Sequence, residues 1–381
     1  MFSSARIGTA AAVVVVAGTA IAQPVAPGLY TFSPSVGYTA VNTEYMSRDG
    51  RVVAGNSRDN VNFQGYRWTL TTGRVDIAQP DLPDFGTVFG LTPDGGKTLH
   101  ARRPSGGTIA NVVTRDASGI VTDLGRPSLN FGGFFNVKPA NNADRVFATW
   151  GGTPQNAFIR RPYAWTQASG WTNITPSEFV GSDWVEVVDT SDDGSTWLGL
   201  NNGFVGAPGY FVANASGVTM LTSAGDGFGN ARALSGDGNH VVGSWIIQGV
   251  STFPVLWGPG TAQQLPTPVG FEGGFATDVS NGGTTVVGLM GSGANLDTAF
   301  VWTSAGGMKT LADYADDFGI TIPTNITGFG PGLNISGDGT VISGNWTLSA
   351  TTSEAFVLVV PTPSSVFVLS GIIVLAARRR R

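Results

Sequence analysis

The sequence predicts an all-β protein, a β-propeller of about seven four-stranded blades, and three observations predict it. Composition is the first: 55 glycines and a charged fraction of 12% in 381 residues describe many tight turns between weakly charged strands. The second is a recurring turn, SRDG to Gly50, TPDG to Gly95, ANNA to Ala143, SDDG to Gly194, SGDG to Gly238, SNGG to Gly283 and SGDG to Gly339. Successive copies end 45, 48, 51, 44, 45 and 56 residues apart, the period of a four-stranded blade. The third is the pattern around each turn, which supplies about four strands per copy.

Each unit is read in the same order. A short apolar strand such as ARAL or FATDV leads into the turn, where Asp-Gly or Gly-Gly reaches the positive φ that a tight hairpin demands. A β-branched run follows, as in RVVAG, HVVGS, TVVGL and TVISG. Next comes an aromatic strand, GYRW to Trp68, PYAW to Trp165, GYFV to Val212, PVLW to Trp257, AFVW to Trp302 and AFVL to Leu358. A glycine turn and a Leu- or Ile-bearing strand, SGWTNI, SGVTML or GGMKTL, complete the unit. The tryptophans are expected between blades. The seventh unit stops at Val360 without its last strand, and GLYTF at 28–32 is predicted to pair there and close the ring. The longest spacing contains MKTLADYADDFGI, where Leu311, Ala315 and Phe318 fall at i, i+4 and i+7 and predict a short amphipathic helix.

The two ends have their own logic, dividing the chain into residues 1–22, a propeller over 23–360 and a tail over 361–381. In the first segment Arg6, the apolar AAAVVVVAG and AIA before Gln23 predict a secretory signal helix cleaved between Ala22 and Gln23. The tail combines Pro361, Thr362 and Pro363 with an apolar helical run at 366–377 and the basic stop Arg378, Arg379, Arg380 and Arg381. That run is shorter than the roughly 20 residues that span a bilayer comfortably, and the arginines favour the cytoplasmic side with the domain outside.

This order of turn, apolar helix and basic cluster resembles the PEP-CTERM sorting tail of bacterial envelope proteins, with Thr362 where that motif usually carries Glu. The resemblance implies an exosortase-type processing enzyme as a partner and a transient attachment to the membrane. A plain C-terminal transmembrane anchor is the alternative reading. The pattern SxDGxxVVG, AFxW, GGMxxL resembles extracellular HAF-type repeats, most clearly from 275 to 360. It is weakest where Thr92 and Ala140 replace the serine and Asn142-Ala143 replaces Asp-Gly. That family implies a secreted or surface-exposed propeller and supplies no catalytic residues.

Chemistry is sparse. The chain has no cysteine and two histidines, His100 and His240, which removes thiolate chemistry and leaves little for a His-rich metal site. A net charge of -5 gives no reason to seek nucleic acid. Nucleophile-elbow, zinc-protease and Walker motifs are missing, so no catalytic, cofactor or metal residues are expected. The adjacent acids Asp192-Asp193 and Asp316-Asp317 are expected to be solvated. Phe85, the 131–135 cluster, Phe228, Phe271, Phe275 and Phe329 sit beside glycines before successive turns, where they either wedge between blades or form a platform for a surface glycan or protein. The predicted role is structural or ligand-binding in the envelope or matrix. The alternative is an extracellular polysaccharide hydrolase using acids at the channel.

Overall fold

The computed structural model describes residues 26–361 except 60, 78–86, 104–109, 128–131, 153–157, 204, 223–226, 248–250, 260, 293–294 and 350–351. The expected signal helix, the cleavage site at Ala22 and Gln23, and the tail beyond Pro361 lie outside the described residues. Among the described residues, no helix is long and apolar enough to cross a membrane.

Seven antiparallel sheets form a closed ring. Their inner strands are Ala40–Met46, Gly90–Leu91, Gly133–Ala140, Val185–Thr190, Phe228–Leu234, Gly273–Val279 and, in the seventh blade, Gly328–Phe329 with Asn334–Ile335. Six blades run inner to outer in chain order. In the seventh, Gly28–Phe32 is the outer strand, paired antiparallel with Thr352–Val359 in the register Gly28 to Val359 and Phe32 to Ala355. Phe32 stacks on Trp68 of the first blade at 5.8 Å and meets Tyr66 edge-on at 5.4 Å. The strand Gly28–Phe32 therefore completes the last blade, as its sequence predicts.

A single four-stranded sheet cannot hide both faces, and the solution is visible at every junction. Each of the seven interfaces between neighbouring blades carries its own apolar cluster. Of the tryptophans expected between blades, Trp68, Trp257 and Trp302 are buried, and Trp165 is partly buried against the cluster between the second and third blades. Among the described residues, the interface between the first two blades has the smallest cluster. There the buried Asn56 amide donates to Val88 O at 3.1 Å and accepts from Val88 N at 2.7 Å, a two-bond polar tie between the blades.

The recurring turn is an interlock as well as a hairpin. In the first unit Ser47 Oγ donates to Asp49 Oδ1 at 2.7 Å and accepts from Val52 N at 3.0 Å, while Arg51 N donates to the same carboxylate at 3.0 Å. The same bonds recur around Ser191 and Asp193 and around Ser336 and Asp338. Gly50 has φ +71°, and a Cβ there would lie 2.5 Å from Val341 of the preceding blade. The glycine thus answers two demands, a left-handed backbone and a close approach. The divergent third unit keeps the geometry without glycine, with Ala143 at φ 60° and buried. The predicted helix is present at Leu311–Asp316, capped by Thr310, whose hydroxyl accepts from Asp313 N at 3.1 Å. Leu311 and Ala315 face the core, and Phe318 packs beside them.

Candidate functional site

Inner strands from all seven blades enclose an axial channel of about 300 Å³. One end is closed by the second residue of each turn. Arg48 N donates to Pro93 O, Asn141 N to Asp192 O, Asp192 N to Gly236 O, Asn281 N to Gly337 O and Gly337 N to Arg48 O, at 2.6 to 2.9 Å. These bonds run from blade to blade around the axis. Two links are made differently. Pro93 has no N–H to give, and Lys97 Nζ bridges to Asn142 O at 2.9 Å instead. Between the fifth and sixth blades Gly282 N donates to Asp237 Oδ2 at 2.9 Å.

Side chains complete the closure. The Arg48 guanidinium leaves the first blade and crosses the axis to Asp192 at 2.7 Å, Leu234 O at 3.1 Å and Asp278 at 3.9 Å. Lys138 pairs with Asp189 at 3.3 Å. Asp189 and Asp278 each accept a backbone N–H from the following blade, Leu234 N at 2.8 Å and Ile335 N at 2.9 Å. Burial opposes the charge on Arg48, but Asp278, Asp192 and Asp189 outweigh it and hold the guanidinium above its ordinary range. Burial pushes the Asp278 carboxyl up to about 6 against the pull of Arg48, and it raises Asp192 in the same way.

These charges reach the channel through a repeated irregularity. The inner strands of the first, fourth, fifth and sixth blades each carry a bulge, between Thr43 and Tyr45, Val187 and Asp189, Ala231 and Ala233, and Ala276 and Asp278. The third blade has a wider one between Phe135 and Lys138. An extra residue in one strand re-aims its neighbours, and Glu44, Lys138, Asp189, Arg232 and Asp278 all line the channel as a result.

The opposite mouth is open. The inner strand of the seventh blade breaks at Gly330, Pro331 and Gly332, and between it and the first blade lies a groove of about 900 Å³ continuous with the channel through Glu44 and Arg232. Glu44 accepts from Asn42 Nδ2 at 3.5 Å and Asn56 Nδ2 at 3.3 Å, and burial raises its pKa. Arg232 lies over the Phe275 ring at 4.2 Å.

The residues singled out in the sequence separate clearly. His100 is buried in the second blade between Thr87 O at 3.1 Å and Thr98 Oγ1 at 2.8 Å, and burial pushes its pKa down to about 4. His240 packs against the turn of the sixth unit at Gly283. The one hydroxyl that His100 meets among the described residues, that of Thr98, is buried with it inside the blade and lines neither the channel nor the groove at its mouth. Asp193 binds its own turn, but Asp192 departs from the solvated expectation because it faces the axis and pairs with Arg48. Phe134, Phe271, Phe275 and Phe329 pack between blades, whereas Phe135 and Phe228 are exposed. Phe228 borders a small cavity with Tyr210, Trp245 and Trp257. Phe85 and Phe131 lie outside the described residues.

No protein-family model matches the chain, and no curated protein matches it. Solved structures are similar in fold. One is an oligogalacturonate lyase in complex with manganese, at TM-score 0.60 and 15% identity, covering 88% of this chain and 99% of that one. Another is the β-propeller domain of the Trilobed protease from Pyrococcus furiosus, described as having an open velcro topology, at TM-score 0.51 and 16% identity over 72% of this chain and 84% of that one. A third is an acylaminoacyl peptidase from Pyrococcus horikoshii, at TM-score 0.54 and 10% identity over 87% of this chain and 54% of the peptidase. At such identities the likeness is one of fold.

Proposed function

We propose that this propeller is exported to the cell envelope, cell surface or extracellular matrix and holds a ligand at its open mouth without transforming it. The asymmetry of the channel carries this reading. Arg48, Lys138, Asp189, Asp192 and Asp278 bind one another and the backbone at the closed end, while the groove at the other end leads into the channel. Export rests on the signal-like residues 1–22 and on the tail. Gly28 pairs with Val359, and Val360 N donates to Thr340 O beside the last turn, so both ends of the domain leave from the closed face. A tail held in the membrane, either as an exosortase substrate or as a plain anchor, would keep that face toward the bilayer and turn the groove outward.

Mass spectrometry of the native termini tests the processing. Peptides starting at Gln23 and ending near Pro361 are expected, and an intact Arg381 would remove the sorting step. A glycan and peptide panel tests the role, with binding and no turnover expected. One observation favours the hydrolase alternative, namely that Glu44 and Asp278 both line the channel with carboxyls raised by burial. Newly released reducing ends would establish it in place of simple binding.

A further inference from the structure

We infer that the groove between the first and seventh blades binds an acidic oligosaccharide, its anionic groups held by Arg58 and Arg232. This rests on the ligand-binding reading above and assigns its chemistry. The two arginines line the same groove, and among the described residues no carboxylate lies within 4 Å of either guanidinium. Glu44 and Asp59 line the groove as well. Asp59, however, is engaged by its own loop, accepting from Val61 N at 2.7 Å and Asn62 N at 2.6 Å, and burial raises the Glu44 pKa against the pull of Asn42, Asn56 and Arg58. All three lysines of the described residues have partners, Lys97 with Asn142 O, Lys138 with Asp189 and Lys309 with Asp317. Arg48 is held by three blades. Arg232 is aimed by its bulge and fixed on the Phe275 ring, which orders the guanidinium without neutralising it. A planar fork held this way suits an anionic oxygen pair.

The rest of the wall selects a sugar over a peptide. Asn42, Asn345, Thr347 and Thr352 line the groove with amides and hydroxyls, the groups that read vicinal hydroxyls. A peptide adding as a strand needs an open sheet edge. The floor here is Gly330, Pro331 and Gly332, with Gly330 N already given to Asn345 O at 2.8 Å. The break also makes the space: a Cβ on Gly332 would meet Thr43 O at 2.5 Å. At about 900 Å³ the groove is within the range of ligand pockets.

The test is calorimetric titration of the purified full-length chain with four probes of equal length: an oligouronide, a sulfated oligosaccharide, a neutral oligosaccharide and oligoglutamate. One of the two acidic sugars is expected to bind at least about tenfold more tightly than the neutral one, the preferred probe identifying carboxylate or sulfate as the anion, with affinity falling between 50 and 500 mM salt. Replacing both arginines, R58Q with R232Q, should weaken that binding by roughly 10- to 100-fold, with an unchanged melting curve. R102Q removes an equal charge outside the groove and should change nothing. Should the double variant unfold, the salt dependence of the native chain still decides. Equal binding of neutral and acidic sugars would overturn the acidic assignment while leaving a glycan-binding role intact. Preference for oligoglutamate would overturn the sugar assignment, and failure of all four probes would overturn the inference altogether.

Discussion

At the closed mouth of the channel five backbone N–H groups reach the turn of the next blade, turn glycines nest against the blade before them, and Arg48 bolts four blades together. At the open mouth one inner strand is broken, the Arg58 and Arg232 guanidinium groups have no carboxylate within 4 Å among the described residues, and Phe135 and Phe228 are exposed. The same strands build both ends. The difference shows what the repeated sequence encodes: SxDG specifies a joint between blades, repeated because each joint has the same neighbours. Ligand chemistry is therefore to be sought where the repeat is silent.

Four experiments would break or sharpen this contrast. The largest effect should come from the closure itself. Deleting residues 27–32 removes the burial of Leu29, Tyr30 and Phe32, roughly 5 kcal/mol by area, and should lower Tm by about 7 °C. An unchanged calorimetric transition would reject the paired ring. Next is Gly50→Ala at the closed face, where a left-handed backbone and a 2.5 Å approach to Val341 coincide. A loss of about 3 kcal/mol is expected. Gly37→Ala on the open side has φ +89° and nothing within 4 Å, and should cost about 1 kcal/mol. Equal losses in urea titration would show that the close approach does not matter.

Smaller still, Arg48→Met leaves Asp192 and Asp278 facing each other's charge. The Arg48 side chain keeps 21% of its exposure, so the cost is set at about 2 kcal/mol, below that of a fully buried pair. Arg58→Met at the open mouth should stay within about 0.5 kcal/mol. The smallest effect is one of slope. Burial raises Asp278 to about 6 from 3.8, so between those values the folded chain holds more protons than the unfolded one. Its contribution to stability must then decline as pH rises from about 4 to about 6. Comparing native and Asp278→Asn melting across that window should show a steeper decline in the native chain, the remainder coming from Asp192 and Glu44, which burial also raises.

Much of this was legible in the sequence because it is local. The period, the aromatic strands, the short helix and the GLYTF strand each follow from residues adjacent in the chain. The charged lining was harder, since it depends on bulges that shift the side-chain alternation by one residue. A signal existed nonetheless. Glu44, Lys138, Asp189, Arg232 and Asp278 each stand two or three residues before the first residue of their turn, in strands otherwise short of charge. Arg48 and Asp192 share the second position of the turn, and such a coincidence across repeats is a better guide to an axis than adjacency of two acids. The groove left no comparable trace, because it arises where Gly330, Pro331 and Gly332 interrupt a strand that the repeat alone would have continued.

The pairing of Gly28 with Val359 also orders events in time. A chain emerging in sequence presents its first strand long before the partner for that strand exists. The last seam can form only after nearly all the domain has been synthesised, so assembly ends with a long-range step, which is intrinsically slow. Until then the aromatic side of Tyr30 and Phe32 stays uncovered and open to capture by another molecule. A chaperone guarding the newly made domain would find its most urgent client in the strand Gly28–Phe32.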